Sequence, residues 1–313
     1  MSHEHSEDEH SHEHRAGHSH APKDFNRAFA VGVLLNSALV VGQVIFGLIA
    51  HSLALVADAG HNFADVLGLA LAWWASRLAT SKPTEKHTYG FRGFSILAAV
   101  ANAVLLLVSM GAVGWEAIIR LENPPEVHGE IVIWIAAAGI IVNGLSAWLF
   151  FAGRKSDLNV RGAFLHLASD AGISLGVVVA GVAILLTGKL WIDPVASLLI
   201  VATILYSTWG LLKSSINLSL QAVPEHIDRN AVEAFLRGLP GISEVHDLHI
   251  WPMSTNETAL TAHLVKSDGN IDDGMLSTVS KTLREKFRIE HSTIQLERGD
   301  RSHPCSLAPD DVV

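Results

Sequence analysis

The sequence predicts a two-part membrane protein: an all-α bundle of six transmembrane helices, then a small C-terminal α+β domain. Three observations predict it. Only 17% of the 313 residues are charged while 49% are hydrophobic, well below the roughly 25% charged residues usual in soluble domains. Several apolar runs approach the ~20 residues that a helix needs to span a bilayer. After Gln221 the pattern changes to short alternating segments that read as strands.

The first 23 residues, MSHEHSEDEHSHEHRAGHSHAPK, carry seven histidines among acids and serines. They offer nothing for a core and read as a disordered tail, residues 1–25. Neutral imidazoles in such a tract bind borderline metals, weakly because a loose chain must first be ordered. No apolar stretch suited to a signal peptide is expected here. Residues 29–50 form the first span, interrupted by Asn36 and Gln43. After His51 and Ser52 the second span covers residues 53–77, followed by the basic connector SRLATSKPTEKHTYGFRG. The third span is 94–118, the fourth 131–151, the fifth 163–186 and the sixth 195–212. Together they make a membrane domain of residues 26–216.

Six spans put both termini on one side. Arg77, Lys82, Lys86, Arg92, Arg154, Lys155, Arg161 and Lys213, with Lys23 and Arg27, lie on that side. Only Arg120 and Lys189 lie on the other, so the positive-inside rule makes both termini cytoplasmic. A net charge of −9 argues against a nucleic-acid partner. The single cysteine, Cys305, excludes an internal disulfide framework and a multi-cysteine zinc site.

The C-terminal domain, residues 217–300, begins with a helix at 226–239 that Gly241 stops. EVHDLHIW and ALTAHLV alternate as strands, 271–287 is an amphipathic helix and STIQLE a last strand. Residues 301–313 read as a flexible tail.

The second span, LALVADAGHNFADVLGLALAWWA, holds His61 and Asp65; the fifth, FLHLASDAGISLGVVVAGVAILL, holds His166 and Asp170. Residues four apart share a helix face. An ionisable group in hydrocarbon is costly and is kept only where it faces partners. Two separate hydrogen-bonded His–Asp pairs would answer that need. So would one set of two imidazoles and two carboxylates, which suits tetrahedral Zn²⁺ better than the harder Mg²⁺ or Ca²⁺. The matching spacing favours the single set. Small residues flank both pairs, among them Ala57, Gly60, Ala64, Ala171, Gly172 and Gly176; they predict close approach of spans two and five. Asp58, near the membrane boundary, reads as a cap or supporting group.

The paired HxxxD segments, TYGF, WIDPVASLLI, HDLHIW and TIQLE resemble, in order, the cation diffusion facilitator family and its bacterial cobalt–zinc–cadmium resistance branch. The resemblance spans residues 25–298. It implies a homodimeric zinc–proton antiporter of the bacterial inner membrane, exporting Zn²⁺ with H⁺ as coupling ion and surrounded by lipid. Cd²⁺ and Co²⁺ are alternative cargoes. It implies a transport site of His61, Asp65, His166 and Asp170. It also implies a ferredoxin-like, metallochaperone-like cytoplasmic domain (αββαβ), with zinc held by His246, His263 and Glu297.

The chain departs from the family in places. His246 and His249 are three apart, which puts them on opposite faces of a flat strand; His249 and His291 are candidates for a second ion. The family's paired C-terminal cysteines are reduced to His303 and Cys305, which puts a C-terminal metal cluster in doubt. The connector after span two offers only Glu85 and His87, with Phe91 and Arg92 where a further ligand would fall. Ser95 stands where relatives often have Glu. The connector GRKSDLNVRG has no histidine, which leaves the N-terminal tail as the local metal reservoir. Rival readings are a metal sensor or sink that binds without transport, a channel, and an intramembrane metalloprotease. The last requires a general-base Glu beside the histidines, and spans two and five have none there. An enzyme is therefore not expected.

Overall fold

A computed structural model describes residues 25–79, 82–151, 158–266, 273–300, 302 and 305–308. The expectations for the His-rich tail, for Arg154 and Lys155, and for His303 lie outside the described residues.

Six long helices come first: α1 (Phe25–Ile49), α2 (Leu53–Ala79), α3 (Phe94–Glu122), α4 (Gly129–Phe150), α5 (Leu158–Thr187) and α6 (Ile192–Ser219). Several outrun the apolar runs that announce them. α6 continues past Leu212 to Ser219, because backbone hydrogen bonding carries a helix beyond the hydrocarbon layer that the apolar run matches. Among the described residues, four helices are long and apolar enough to cross a membrane, within α3, α4, α5 and α6. The described part of α1 that is apolar, Leu34–Ile49, is shorter. α2 has 27 residues, but Asp58, His61 and Asp65 interrupt its apolar run.

The helices pair as α4 with α5 and α3 with α6, while α2 lies against α1, α3 and α6. Leu55, Ala57, Ala64, Met110, Val177 and Ile204 share the core between them. Small residues set the close approaches, though not where the sequence suggests. A Cβ on Gly181 would stand 2.9 Å from Ile133 Cγ1, and one on Gly129 3.0 Å from the Gly181 carbonyl oxygen. The tight crossing is therefore α4 on α5. Gly60 of α2 faces Met110 of α3, and Gly172 and Gly176 of α5 face open space. Spacing shows which helix face is small, not which neighbour it meets. α2 and α5 are held instead by polar side chains.

The start of α2 is fixed from a distance. Asp193, at the head of α6, accepts hydrogen bonds from Ser52 Oγ, from the Leu53 amide at 2.8 Å and from the Ala54 amide at 3.4 Å. These amides are among the unpaired donors at any helix N-terminus. Arg120 donates to the His51 carbonyl oxygen at 2.9 Å and the His128 amide to that of Ala50 at 3.1 Å. The two-residue link thus becomes a rigid turn, with His51 at φ +54°.

The C-terminal part runs α7 (Arg229–Arg237), β1 (Ile242–Pro252), β2 (Thr258–Lys266), α8 (Asp273–Phe287) and β3 (His291–Glu297). Asp228 caps α7 by accepting from the amides of Asn230 and Ala231. The sheet order is β1-β2-β3, antiparallel between β1 and β2 and parallel between β2 and β3. One sheet face, with Ile250, Leu260, Ala262 and Leu264, packs on Val232, Leu236, Val279 and Leu283 of the two helices. The other face carries His246 and His263.

Among the described residues the two parts touch near the end of α6, where Ser214 Oγ donates to Glu225 Oε1 at 2.8 Å, and at the α2–α3 connector. Arg92 Nη1 donates to Glu257 Oε1 at 2.8 Å, and the Thr255 amide donates to Ser95 Oγ at 3.1 Å. The Tyr89 ring meets His291 edge-on at 5.6 Å. Arg92 and Ser95, two departures from the family pattern, therefore dock the α2–α3 connector on the β1–β2 hairpin.

Candidate metal centre

The first cluster lies between α2 and α5. His61 and Asp65 are one turn apart on α2, as are His166 and Asp170 on α5; ligand atoms of His61, Asp65 and Asp170 all lie within 4.8 Å of one another, and His166 joins them through the two carboxylates. His61 Nε2 is 3.0 Å from Asp170 Oδ1 and 3.7 Å from Asp65 Oδ2. His166 Nε2 is 3.5 Å from Asp65 Oδ2 and 3.7 Å from Asp170 Oδ2. Nitrogen and oxygen alternate around a closed ring. Asp170 is sealed, with its side chain 4% exposed, while that of His166 is 49% exposed, so the ring has one closed and one open side. This arrangement is one set rather than two independent pairs, because the closest contact runs between helices.

Asp58 stands apart from the ring. It is fully buried and accepts from Gln43 Nε2 of α1 at 2.6 Å and from Ser174 Oγ of α5 at 3.0 Å. Gln43 Oε1 in turn accepts from Asn62 Nδ2 at 3.1 Å. Asp58 does not cap α2, since Asp193 does that. It ties α2 to α1 and α5 one turn from His61. Gln43 is the polar break of the first span, and its pairing with Asp58 needs three helices in place to be seen.

The second cluster is on the helix-free face of the sheet. His246 pairs directly with His263 across β1 and β2, and Glu297 of β3 is in register with Val265, two residues beyond His263. Partners in register share a sheet face, so the three side chains converge. His263 Nδ1 is 3.0 Å from Glu297 Oε1, and His246 Nε2 is 3.3 Å from Glu297 Oε2. Burial opposes the charge on Glu297. Hydrogen bonds with Cys305 and Gln295, then the two imidazoles, outweigh it and hold the carboxyl below its ordinary range.

Sequence reasoning missed one neighbour of this cluster, Asp247, and left another, Cys305, in doubt. A bulge between His246 and His249, with Asp247 at φ +50°, inserts one extra residue into β1. His246 faces His263 and His249 faces Thr261. Those partners are two apart, so the bulge returns both histidines to one face. The flat-strand expectation of opposite faces is thereby corrected. The bulge also aims Asp247 at two rings: its Oδ1 is 2.8 Å from His249 Nε2 and its Oδ2 3.3 Å from His263 Nε2. The alternation of VHDLHIW hides this, because a bulge breaks the period by which strands are read. The other neighbour is Cys305, whose Sγ lies 3.5 Å from His263 Nδ1. Ligand atoms of His246, His263, Glu297 and Cys305 all fall within 4.8 Å of one another. The structure does not bring His291 to His249: His291 packs on Tyr89, and His249 turns to Asp247.

Comparison with known proteins places the chain in a family. Residues 29–218 match the cation efflux transmembrane domain, and residues 224–299 match the cytoplasmic domain of cation efflux proteins. The metal cation efflux system protein CzcD of Cupriavidus metallidurans is 36% identical over 295 residues, covering 94% of this chain and 92% of that protein. The cadmium, cobalt and zinc/H(+)-K(+) antiporter of Bacillus subtilis is 34% identical over 301 residues, covering 93% and 95%. The zinc transporter ZitB of Escherichia coli is 36% identical over 293 residues, covering 92% of each. The resemblance read from the HxxxD pairs and the strand motifs thus holds along nearly the whole chain, and the chain belongs to the cation efflux (cation diffusion facilitator) family of multi-pass membrane transporters, which are not enzymes.

Proposed function

We propose that this protein exports Zn²⁺ from the cytoplasm in exchange for protons, by alternating access of one site made of His61, Asp65, His166 and Asp170. The observation that carries this reading is the closed ring of two imidazole nitrogens and two carboxylate oxygens between α2 and α5. A divalent cation inside such a ring meets two negative charges and the two-nitrogen, two-oxygen donor types that tetrahedral Zn²⁺ takes. The same atoms bind protons when the cation leaves, since ligation requires neutral imidazole and ionised carboxylate. Metal capture therefore weakens as pH falls and the imidazoles protonate. An outward side at lower pH releases the metal and returns protons. His166, on the open side, is the ligand that an arriving ion meets first. Asp170, on the closed side, is the last to be hydrated.

The remaining parts fit this cycle. In this reading α1 to α6 all cross the bilayer, α2 carrying its charges into the bundle, and the membrane domain covers residues 26–216. The basic connectors put both termini on the cytoplasmic side of a bacterial inner membrane. Residues 217–300 form a ferredoxin-like domain through which two copies dimerise. His246, His263 and Glu297 hold a resident Zn²⁺ there. The orphaned nitrogens of buried His246 fit that use. The names of the relatives support zinc, with cadmium and cobalt as further cargoes.

The test is uptake by the purified protein in proteoliposomes under a proton gradient. The wild type is expected to accumulate zinc and to move protons the other way. Asp65→Ala is expected to lower the rate by about 100-fold or more, since loss of an outer-shell partner alone costs 10–100-fold in affinity. Proton-coupled uptake by Asp65→Ala at the wild-type rate would show that the site is misassigned. Zinc binding without uptake by the wild type would favour a sensor or sink.

A further inference from the structure

We infer that Cys305 is the fourth ligand of the cytoplasmic metal site, so that each protomer carries a thiolate-containing set of His246, His263, Glu297 and Cys305 with a preference for soft divalent cations. The inference rests on the proposed cytoplasmic set of two histidines and Glu297 and adds to it the tail of the chain.

Four features carry it. The first is distance: the ligand atoms of the four residues lie within 4.8 Å of one another. The second is an unmet need. His246 is 7% exposed, and neither of its ring nitrogens has a hydrogen-bond partner among the described residues. The carboxylates of Glu297 and Glu244 stand 3.3 and 3.5 Å away without bonding geometry. A buried imidazole left so costs free energy unless something else fills its lone pair.

The third feature is the orientation of His263. Its Nε2 faces Asp247 Oδ2 at 3.3 Å, while its Nδ1 faces Glu297 at 3.0 Å and Cys305 Sγ at 3.5 Å. Ligating histidines characteristically give their other N–H to a carboxylate, which fixes the tautomer. Asp247, aimed by the bulge, stands at that nitrogen in the place such a carboxylate takes, and Nδ1 faces the cluster. The fourth is the path of the tail. Gly299 has φ +70°, a conformation that favours glycine, and a Cβ there would stand 2.8 Å from Val265 Cγ1. The chain thus turns tightly past Val265 at Gly299, and Cys305 lies on His263.

The charges agree with a divalent cation. Glu297 supplies one negative charge, and Cys305 supplies a second once its proton is released to solvent as the metal binds. Sulfur alongside two imidazoles selects Zn²⁺, Cd²⁺ and Co²⁺ over Mg²⁺ and Mn²⁺.

The experiment is a Co²⁺ titration of the full-length protein in detergent, followed by near-ultraviolet absorbance. Cys305 is the only cysteine, so a thiolate-to-cobalt charge-transfer band can come from no other residue. The wild type is expected to show one such band, saturating at one Co²⁺ per protomer and displaced by Cd²⁺. Cys305→Ser and Gly299→Val are expected to abolish it. Asp247→Asn is expected to weaken the cobalt affinity read from the band by about 10- to 100-fold. Asp65→Ala, at the transport ring, is expected to leave it unchanged. If the wild type binds Co²⁺ at His246 and His263, as judged by loss of one equivalent in His246→Ala, yet shows no thiolate band, the assignment of Cys305 is overturned and the histidine set stands. If His246→Ala loses neither the band nor an equivalent, the cytoplasmic set itself fails.

Discussion

At the scale of single residues, the bundle keeps two kinds of buried carboxylate apart. Asp65 and Asp170 face imidazoles, whereas Asp58 faces an amide and a hydroxyl. That difference predicts different responses to substitution. Asp58→Leu strands the donors of Gln43 and Ser174 inside the bundle, at about 1–3 kcal/mol each. Asp58→Asn keeps an acceptor and is expected to cost less than half as much. Thermal unfolding in detergent measures both. If Asp58→Leu unfolds at the wild-type temperature, Asp58 does not tie α2 to its neighbours. The HxxxD spacing was legible because four residues make a helical turn whatever surrounds it. The partners of Asp58 were not, since Gln43 and Ser174 are 15 and 116 residues away.

Among the elements, α2 is held at its start by a group that belongs to another part of the chain. Asp193 caps its first turn from α6. Asp193→Ala removes the acceptor of two backbone amides and of Ser52, a loss of about 1–2 kcal/mol of helix stability. Hydrogen exchange at Leu53 and Ala54 is expected to accelerate, while the amides of β2 stay as slow as in the wild type. Equal exchange in both proteins would mean that another group caps α2. Strand existence and order were readable from alternation, and β2 and β3 fall within a residue of expectation. The bulge at Asp247 was not readable, and with it went the placement of His249 and of Asp247 itself. A bulge is set by how two strands register, which neither strand encodes alone.

For the whole molecule, the contact of Arg92 and Ser95 with the β1–β2 hairpin is one link between the two parts, beside that of Ser214 with Glu225. An ion pair this exposed is worth only about 0.2–1 kcal/mol. Glu257→Ala is therefore expected to leave the unfolding temperature of the cytoplasmic domain nearly unchanged. The distance distribution between spin labels on the 82–93 connector and the 253–257 hairpin is expected to broaden, and the charge-swapped pair Arg92→Glu with Glu257→Arg to narrow it again. A distribution unmoved by Glu257→Ala would show that the pair does not hold the parts together.

The sequence by itself determined that the chain has long apolar helices, a small αββαβ unit after them, and two His–Asp pairs on helix faces. These are local properties, written in hydropathy and in periods of two and 3.6 residues. Only the tertiary structure decided that the two pairs close into one ring, that the small faces of α2 and α5 do not meet, and that Cys305 lies on His263. Each of these depends on contacts between residues far apart in the chain. Such contacts are set by packing and by the need of buried polar groups for partners, which no local pattern records.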